Sequence, residues 1–192
     1  MKVGCCGFPV RMDQYFREFK VIEIQRAFYK LPRIQTTIKW RDLAPTEFEF
    51  TLKVPQFITH EPTSPTYRKA GIEISSAEKN LYGSFKPTEQ VFKAWDEIRK
   101  RAKILRAKIV VFQCPASFKP TKENIENMRN FFLTIDRKDF LCVWEPRGKW
   151  EDSIIMALCK ELDLIHCVDP FLRKSVWGEL KYFRLHGGPR YQ

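Results

Sequence analysis

The chain has 192 residues, 44% hydrophobic and 30% charged, which suits one domain with a sizeable core and excludes a disordered polymer. No apolar run approaches the roughly 20 residues of a bilayer crossing, and Met1-Lys2-Val3-Gly4-Cys5-Cys6-Gly7 lacks the apolar stretch of a secretory signal, so the expectation is a cytoplasmic protein without membrane partners. A net charge of +11, from 34 Lys and Arg against 23 Asp and Glu, favours an anionic partner, either a phosphorylated metabolite or nucleic acid.

Seven strands are predicted, at 2–6, 20–25, 48–54, 108–114, 140–145, 164–169 and 181–186. In the second, Glu23 shares a face with Val21 and Gln25. The third alternates most clearly: Phe48, Phe50, Leu52 and Val54 face one way, Glu49, Thr51 and Lys53 the other. Residues 55–86, with Pro55, Pro62, Pro65 and Gly71, lack periodicity and read as a long loop, either a lid or a tethered surface excursion. A helix follows at 88–106, where Val91, Trp95, Ile98, Ala102 and Leu105 form one apolar stripe. The stretch from Lys86 to Lys108 holds eight basic residues against three acidic, which suits a solvated helix face or a nucleic-acid surface.

Helices are predicted again at 121–134, through Ile125, Met128 and Phe132, and at 151–162, through Ile154, Ile155, Leu158 and Leu162. The pentapeptide Ser-Phe-Lys-Pro-Thr occurs at 84–88 and 117–121, with Thr88 and Thr121 as N-caps of the helices that follow. The last strand places Tyr182, Arg184 and His186 on one face. The six cysteines lack Cys-x-x-Cys spacing, and five lie in strand-like runs as small core hydrophobes.

Strands alternating with helices define parallel βαβ units, compatible with a barrel or an open doubly wound sheet. No Gly-x-Gly-x-x-Gly or Walker-type loop is present, which favours the barrel. Five apolar runs end in one polar residue and then a breaker: Lys53-Val54-Pro55, Gln113-Cys114-Pro115, Glu145-Pro146, Asp169-Pro170 and His186-Gly187. Glu23 ends a sixth run without the breaker. In a parallel sheet these ends meet at one rim, where α/β folds build their sites.

The motifs Gly4-Cys5-Cys6-Gly7-Phe8, Val21-Ile22-Glu23-Ile24-Gln25-Arg26-Ala27-Phe28-Tyr29 and Phe50-Thr51-Leu52-Lys53-Val54-Pro55 stand in the order seen in a known family. Ile58-Thr59-His60-Glu61, Phe112-Gln113-Cys114-Pro115, Glu145-Pro146-Arg147, Asp169 and Phe183-Arg184-Leu185-His186-Gly187 continue the series. On these residues the chain resembles the YecE-like family, also called the domain of unknown function 72 family, across one domain spanning 1–192. The resemblance implies an α/β TIM-barrel-like fold, distantly similar to the endonuclease IV and xylose isomerase barrels, and no settled activity. Cys5-Cys6-Gly7-Phe8 replaces the family's Thr-Ser-Gly-Trp type of opening. The family continues through an eighth strand that this sequence lacks, so the expected barrel has two unpaired edges, either covered in another way such as self-association or marking a shortened member with impaired function.

The expected chemistry is that of an anion site. Arg147, Arg184 and Lys53 supply cations, and guanidinium forks suit phosphate or carboxylate. Glu145, His186, Lys53 and Glu23 are the catalytic candidates, with Glu145 and His186 as the acid–base pair; Arg147, Arg184, Gln113, Tyr29 and His60 are the substrate-binding candidates. Lys53 beside Glu23 or Glu145 reads as a base, a Schiff-base amine, or one half of a neutralising buried pair. Glu145, Asp169 and His186 could also hold a single divalent metal ion, with His60 or Glu23 as a fourth ligand. His166, three residues from Asp169, faces away and reads as structural. Trp150, Tyr29 and Phe8 are candidate stacking walls. The function expected is a hydrolase or lyase of a phosphate- or carboxylate-bearing ligand; the alternative is a non-catalytic nucleic-acid binder.

Overall fold

The computed structural model describes residues 1–187; the final five lie outside the described residues. Five strands form: β1 (Val21–Ile24), β2 (Glu49–Lys53), β3 (Ile109–Cys114), β4 (Leu141–Pro146) and β5 (Leu164–His166). They pair in sequence order, and every pair is parallel. A doubly wound sheet reverses strand order at a switch point. Here the order never reverses, so the sheet winds in one direction as a barrel wall does.

Helices α1 (Met12–Glu18), α2 (Ile34–Leu43), α3 (Gln56–Thr59), α4 (Pro65–Lys69), α5 (Glu89–Leu105), α6 (Lys122–Thr134) and α7 (Asp152–Glu161) complete the architecture. Strand alternation divides the buried side chains into two layers. Ile22, Ile24, Phe50, Leu52, Val110, Phe112, Cys142, Trp144 and Leu164 join the core between sheet and helices. Val111, Val143, Ile165 and Cys167 form a separate interior cluster, with Ile109 and Tyr182 packed against it. Fully burying each large apolar side chain of these layers contributes about 1.5–3 kcal/mol.

The caps occur as predicted. Thr88 Oγ1 accepts from Val91 N at 3.4 Å and Thr121 Oγ1 from Asn124 N at 3.2 Å. The two pentapeptides lie side by side, because their phenylalanines, Phe85 and Phe118, pack with ring centroids 5.5 Å apart. The stretch predicted as a loop at 55–86 is more ordered than expected. It contains α3, α4 and a 3-10 turn at Lys79–Leu81, and Phe85 anchors its end in the core. Gly83 has φ +75°, and a Cβ there would lie 2.4 Å from the His60 carbonyl oxygen, so the loop's return path over His60 requires glycine.

The first and last predicted strands do not form ladders. Among the described residues, 2–6 pair with β1 only at the Cys6–Glu23 bridge, and 181–186 pair with the extension of β5 only at Val168–Phe183. Each is an edge segment with a neighbour on one side. A side chain at Gly4 would meet the Val21 carbonyl at 2.1 Å, so glycine permits this approach. Tyr15 assists it, accepting from Cys5 N at 2.7 Å and donating to Val21 O at 3.0 Å. Among the described residues no backbone ladder joins the two edge segments, and the barrel is not closed. Phe183 and Leu185 are exposed on the outer side of the last segment. No helix is long and apolar enough to cross a membrane among the described residues.

Candidate active site

The parallel winding brings Glu23, Lys53, Gln113, Glu145 and Arg184 together at the C-terminal ends of the strands, and all five are buried. At the centre lies the Arg184 guanidinium. Its Nε and Nη2 donate to the two oxygens of Glu23, each at 3.0 Å, and its Nη1 donates to Glu145 Oε2 at 2.6 Å. Tyr182 extends the network, its hydroxyl donating to Glu23 Oε2 at 3.0 Å and lying 2.9 Å from Thr51 Oγ1. Burial, then the Glu23 charge, raises the Tyr182 phenol far above its ordinary range, so it stays a donor.

Glu145 also accepts from Arg147 Nε at 2.9 Å, and its Oε1 lies 2.9 Å from His186 Nε2. Burial pushes the Glu145 carboxyl up, but the Arg184 and Arg147 charges outweigh it and hold the group below its usual range. Glu145 is therefore a fixed anion. Of the expected acid–base pair, the contact is present, between an ionised Glu145 and the His186 ring. Arg147 Nη2 is 3.1 Å from both ring nitrogens of His186. The in-plane bonding directions of the two nitrogens diverge, so a single atom equidistant at that range lies over the ring.

Lys53 departs most from expectation. It makes no ion pair with Glu23 or Glu145, whose oxygens face Arg184, Arg147, Tyr182 and His186. Its ammonium donates to Gln113 Oε1 at 2.7 Å and sits 3.7 Å from the Phe28 ring centroid. Burial, then the Arg184 charge, lowers its pKa to about 8. Gln113 in turn donates through Nε2 to Cys114 O at 2.8 Å. Arg184, expected to bind substrate, has its guanidinium turned to carboxylates inside the barrel. Arg147 is half-exposed and keeps Nη1 without a partner among the described residues.

His60 lies at the end of α3, its ring centroid 4.8 Å from that of Phe28 and its Nδ1 2.8 Å from Thr59 Oγ1. Burial, then the Lys53 charge, pushes its pKa down to about 3, so it is a neutral imidazole. Tyr29 is not brought into the network; its ring packs against Phe28 and lies 5.5 Å from Lys69 Nζ. Phe8 and Trp150 are packing residues, against Tyr15 and Phe16 and against Phe118 and Trp144.

The metal expectation is not met by this geometry. The Asp169 carboxylate accepts backbone amides, Phe171 N at 3.0 Å and His186 N at 3.1 Å, so it pins the chain beside Glu145 without joining it. Among the described residues no group of three His, Cys, Asp or Glu side chains is placed to hold a metal ion. His166 is structural, as expected: it is buried and its Nδ1 accepts from Val176 N at 3.1 Å.

The sequence reading left out Tyr182, Thr51, Cys6 and Phe28 as site residues. Alternation places Tyr182 with Arg184 and Thr51 with Lys53, so a signal for those two existed. Cys6 lies 3.7 Å from Arg184 Nη2 and 3.8 Å from Glu23 Oε1, a position only the edge bridge reveals. A wide cavity of about 900 Å³ opens at the opposite rim, lined by loops before β3, β4 and β5, including Lys108, Arg137, Leu141 and Asp163. The converging buried charges lie at the other end.

Of the basic residues between 86 and 108, Lys86, Arg99, Lys100, Arg101 and Lys103 each pair with a carboxylate. Arg101 is moreover buried, donating to Pro32 O at 2.7 Å.

Fold and rim together define a parallel β/α-barrel protein with a buried charge network at the C-terminal strand ends. The chain belongs to the family described as protein of unknown function DUF72, whose family model matches residues 8–192. Two solved DUF72 proteins resemble it. That from Enterococcus faecalis V583 is 20% identical, with TM-score 0.67 over 97% of this chain and 73% of that one. That from Thermotoga maritima MSB8 is 20% identical, with TM-score 0.64 over 98% and 75%. A D-psicose 3-epimerase structure is 10% identical, with TM-score 0.54 over 89% of this chain and 64% of that one. At these identities the likeness shows the barrel fold. The chain spans about three quarters of the two DUF72 structures. No curated protein matches it.

Proposed function

We propose that the C-terminal rim is an enzyme active site for a small ligand bearing a phosphate or carboxylate group, acting as a hydrolase or lyase. The observation that carries this is the ammonium of Lys53, buried beside two carboxylates that are already engaged by other cations. Arg184, Arg147 and Lys53 face Glu23 and Glu145, three cations to two anions, and an anionic ligand balances the excess. A structural lysine would gain from an ion pair; a buried one whose neighbouring carboxylates are taken by arginines suits a ligand.

In this reading Arg147 receives the anionic group through Nη1, which has no partner among the described residues, and Glu145 orients the imidazole of His186. With His186 Nε2–H donating to Glu145, Nδ1 carries the lone pair and serves as general base. Arg184 stays within the network and keeps Glu145 ionised. The pairing of lysines and arginines along α5 argues against the nucleic-acid alternative, because a paired charge releases fewer counterions.

Calorimetric titration with inorganic phosphate tests the anion site. Binding should be lost by about tenfold or more in Arg147→Gln, the scale of one charge-assisted hydrogen bond, and unchanged in Lys93→Gln on α5. Binding that ignores Arg147 or depends on the α5 lysines would overturn the reading. Turnover of phosphate esters and oxo acids should vanish in His186→Ala with the melting curve retained.

A further inference from the structure

We propose that Lys53 is an amine nucleophile that condenses with the carbonyl carbon of a small anionic aldehyde or ketone, forming an imine at the barrel rim. This rests on the anion-site reading and narrows its substrate class to carbonyl compounds bearing a carboxylate or phosphate.

The geometry around Nζ carries the argument. An amine nucleophile must lose its proton readily and must not be held as an ammonium by a carboxylate that accepts from its N–H. Lys53 meets both conditions: Gln113 Oε1 is its hydrogen-bonding partner at 2.7 Å, a neutral acceptor that fixes the chain without stabilising the charge as a carboxylate would. The Phe28 ring at 3.7 Å walls one side, and its face attracts the ammonium far less than a carboxylate would. Ionisable groups from the surrounding elements also bear on Nζ. Arg184 and Arg147 repel its charge, while Glu23 and Glu145 attract it through carboxylates shared with those arginines. His60, on α3's end, is neutral. Burial and the arginines prevail, leaving a pKa of about 8. The carboxylate of an oxo acid would pair with Arg147, whose charge is felt at Lys53.

In the step itself, the neutral Lys53 Nζ adds its lone pair to the carbonyl carbon as the C–O π bond breaks. A proton moves from nitrogen to oxygen to give a carbinolamine. One further proton from solvent allows the hydroxyl to leave as water, and the nitrogen lone pair forms the protonated C=N bond. Amine, carbonyl compound and one proton thus give iminium and water. The iminium then serves as an electron sink for bond cleavage at the adjacent carbon, which is lyase chemistry.

Glyoxylate is the probe, with sodium cyanoborohydride to reduce the imine to a secondary amine, at pH 7. About a tenth of Lys53 is then neutral, against roughly one in 3,000 of an ordinary lysine at 10.5. Peptide mass mapping should find a carboxymethyl group on Lys53 at a yield at least tenfold above any exposed lysine. Labelling should fall in the presence of inorganic phosphate, and in Lys53→Met, whose fold is checked by its melting curve, the carboxymethyl group on that peptide should vanish. Label spread over exposed lysines with Lys53 unmodified would overturn the proposal, and mapping of the wild type is enough to decide this. Phosphate titration without reductant reports the anion site separately. Phosphate bound but Lys53 unlabelled sinks the imine and spares the anion site. Lys53 labelled without phosphate binding sinks the anion site and supports the amine chemistry.

Discussion

Lys53 and Arg184 are both buried cations at one rim, and their environments make them opposites. Arg184 has a carboxylate on each side, and Glu23 and Glu145 hold it protonated despite its burial. Removing it leaves Glu23 buried without a cation and Glu145 with Arg147 alone, so Arg184→Met should lose about 3–5 kcal/mol in chemical denaturation. Lys53 is a group the fold tolerates at a cost. Its ordinary pKa of 10.5 falls to about 8 on folding, so the folded state holds fewer protons than the unfolded chain between those values. Stability therefore rises as pH climbs from about 8 to 10.5, and below about 8 the penalty is complete, on the order of 3 kcal/mol. Lys53→Met, which keeps the stem against Phe28, should melt above the wild type at pH 7 and lose that advantage near pH 10.5. A lower melting temperature at pH 7 would mark Lys53 as structural. A stability gain that accompanies loss of labelling is the trade expected of an active-site residue.

At the scale of elements, the segment after β2 holds His60 over the rim. Gly83, Ser84 and Phe85 all have positive φ, and this left-handed run folds the chain back so that Gly83 N donates to Phe57 O at 2.8 Å and Phe85 N to Ile58 O at 2.9 Å. Gly83→Ala adds both strain and a backbone clash at His60, and a loss of about 1–3 kcal/mol is expected by denaturation. The two capping threonines offer a matched comparison. Thr121→Ala should cost about 1 kcal/mol, the ordinary value of an N-cap. Thr88→Ala should cost more, because its hydroxyl also donates to Leu81 O at 2.6 Å and ties the loop to α5. Equal costs would show that this second bond is worth nothing. The repeated pentapeptide is thus the same local solution in two settings, joined where Phe85 meets Phe118.

For the whole molecule, the open barrel predicts a gradient of protection. Strands β3 and β4 share six register pairs at the sheet's centre, whereas each edge segment has a single bridge. Amide exchange should be slowest in β3 and β4 and fastest at 4–7 and 183–186. Equal protection at the edges would require a partner strand that the described residues do not contain. The rim network opposes this looseness, since Arg184 and Tyr182 from one edge segment hold Glu23 on β1 across the interior.

What the sequence determined by itself is which side chains face inward and at which end of the strands they lie. That follows from local stereochemistry: alternation along Glu49–Lys53, breakers after each run, and parallel connections imposed by intervening helices. Lys53, Gln113, Glu145 and Arg184 were legible in this way, before any contact was known. The pairing among them was not. Whether Glu145 met Lys53 or Arg184, and whether Asp169 joined His186 as a ligand or held its backbone, depended on the curvature of the sheet and the reach of each side chain. Arg184 comes from an edge segment with one bridge, yet its long fork spans from β1 to β4 and takes both carboxylates. Charges far apart in the chain compete for the same partners only once the barrel wall has curved, so only the tertiary structure could decide that Lys53 would be left with a neutral amide and an aromatic face.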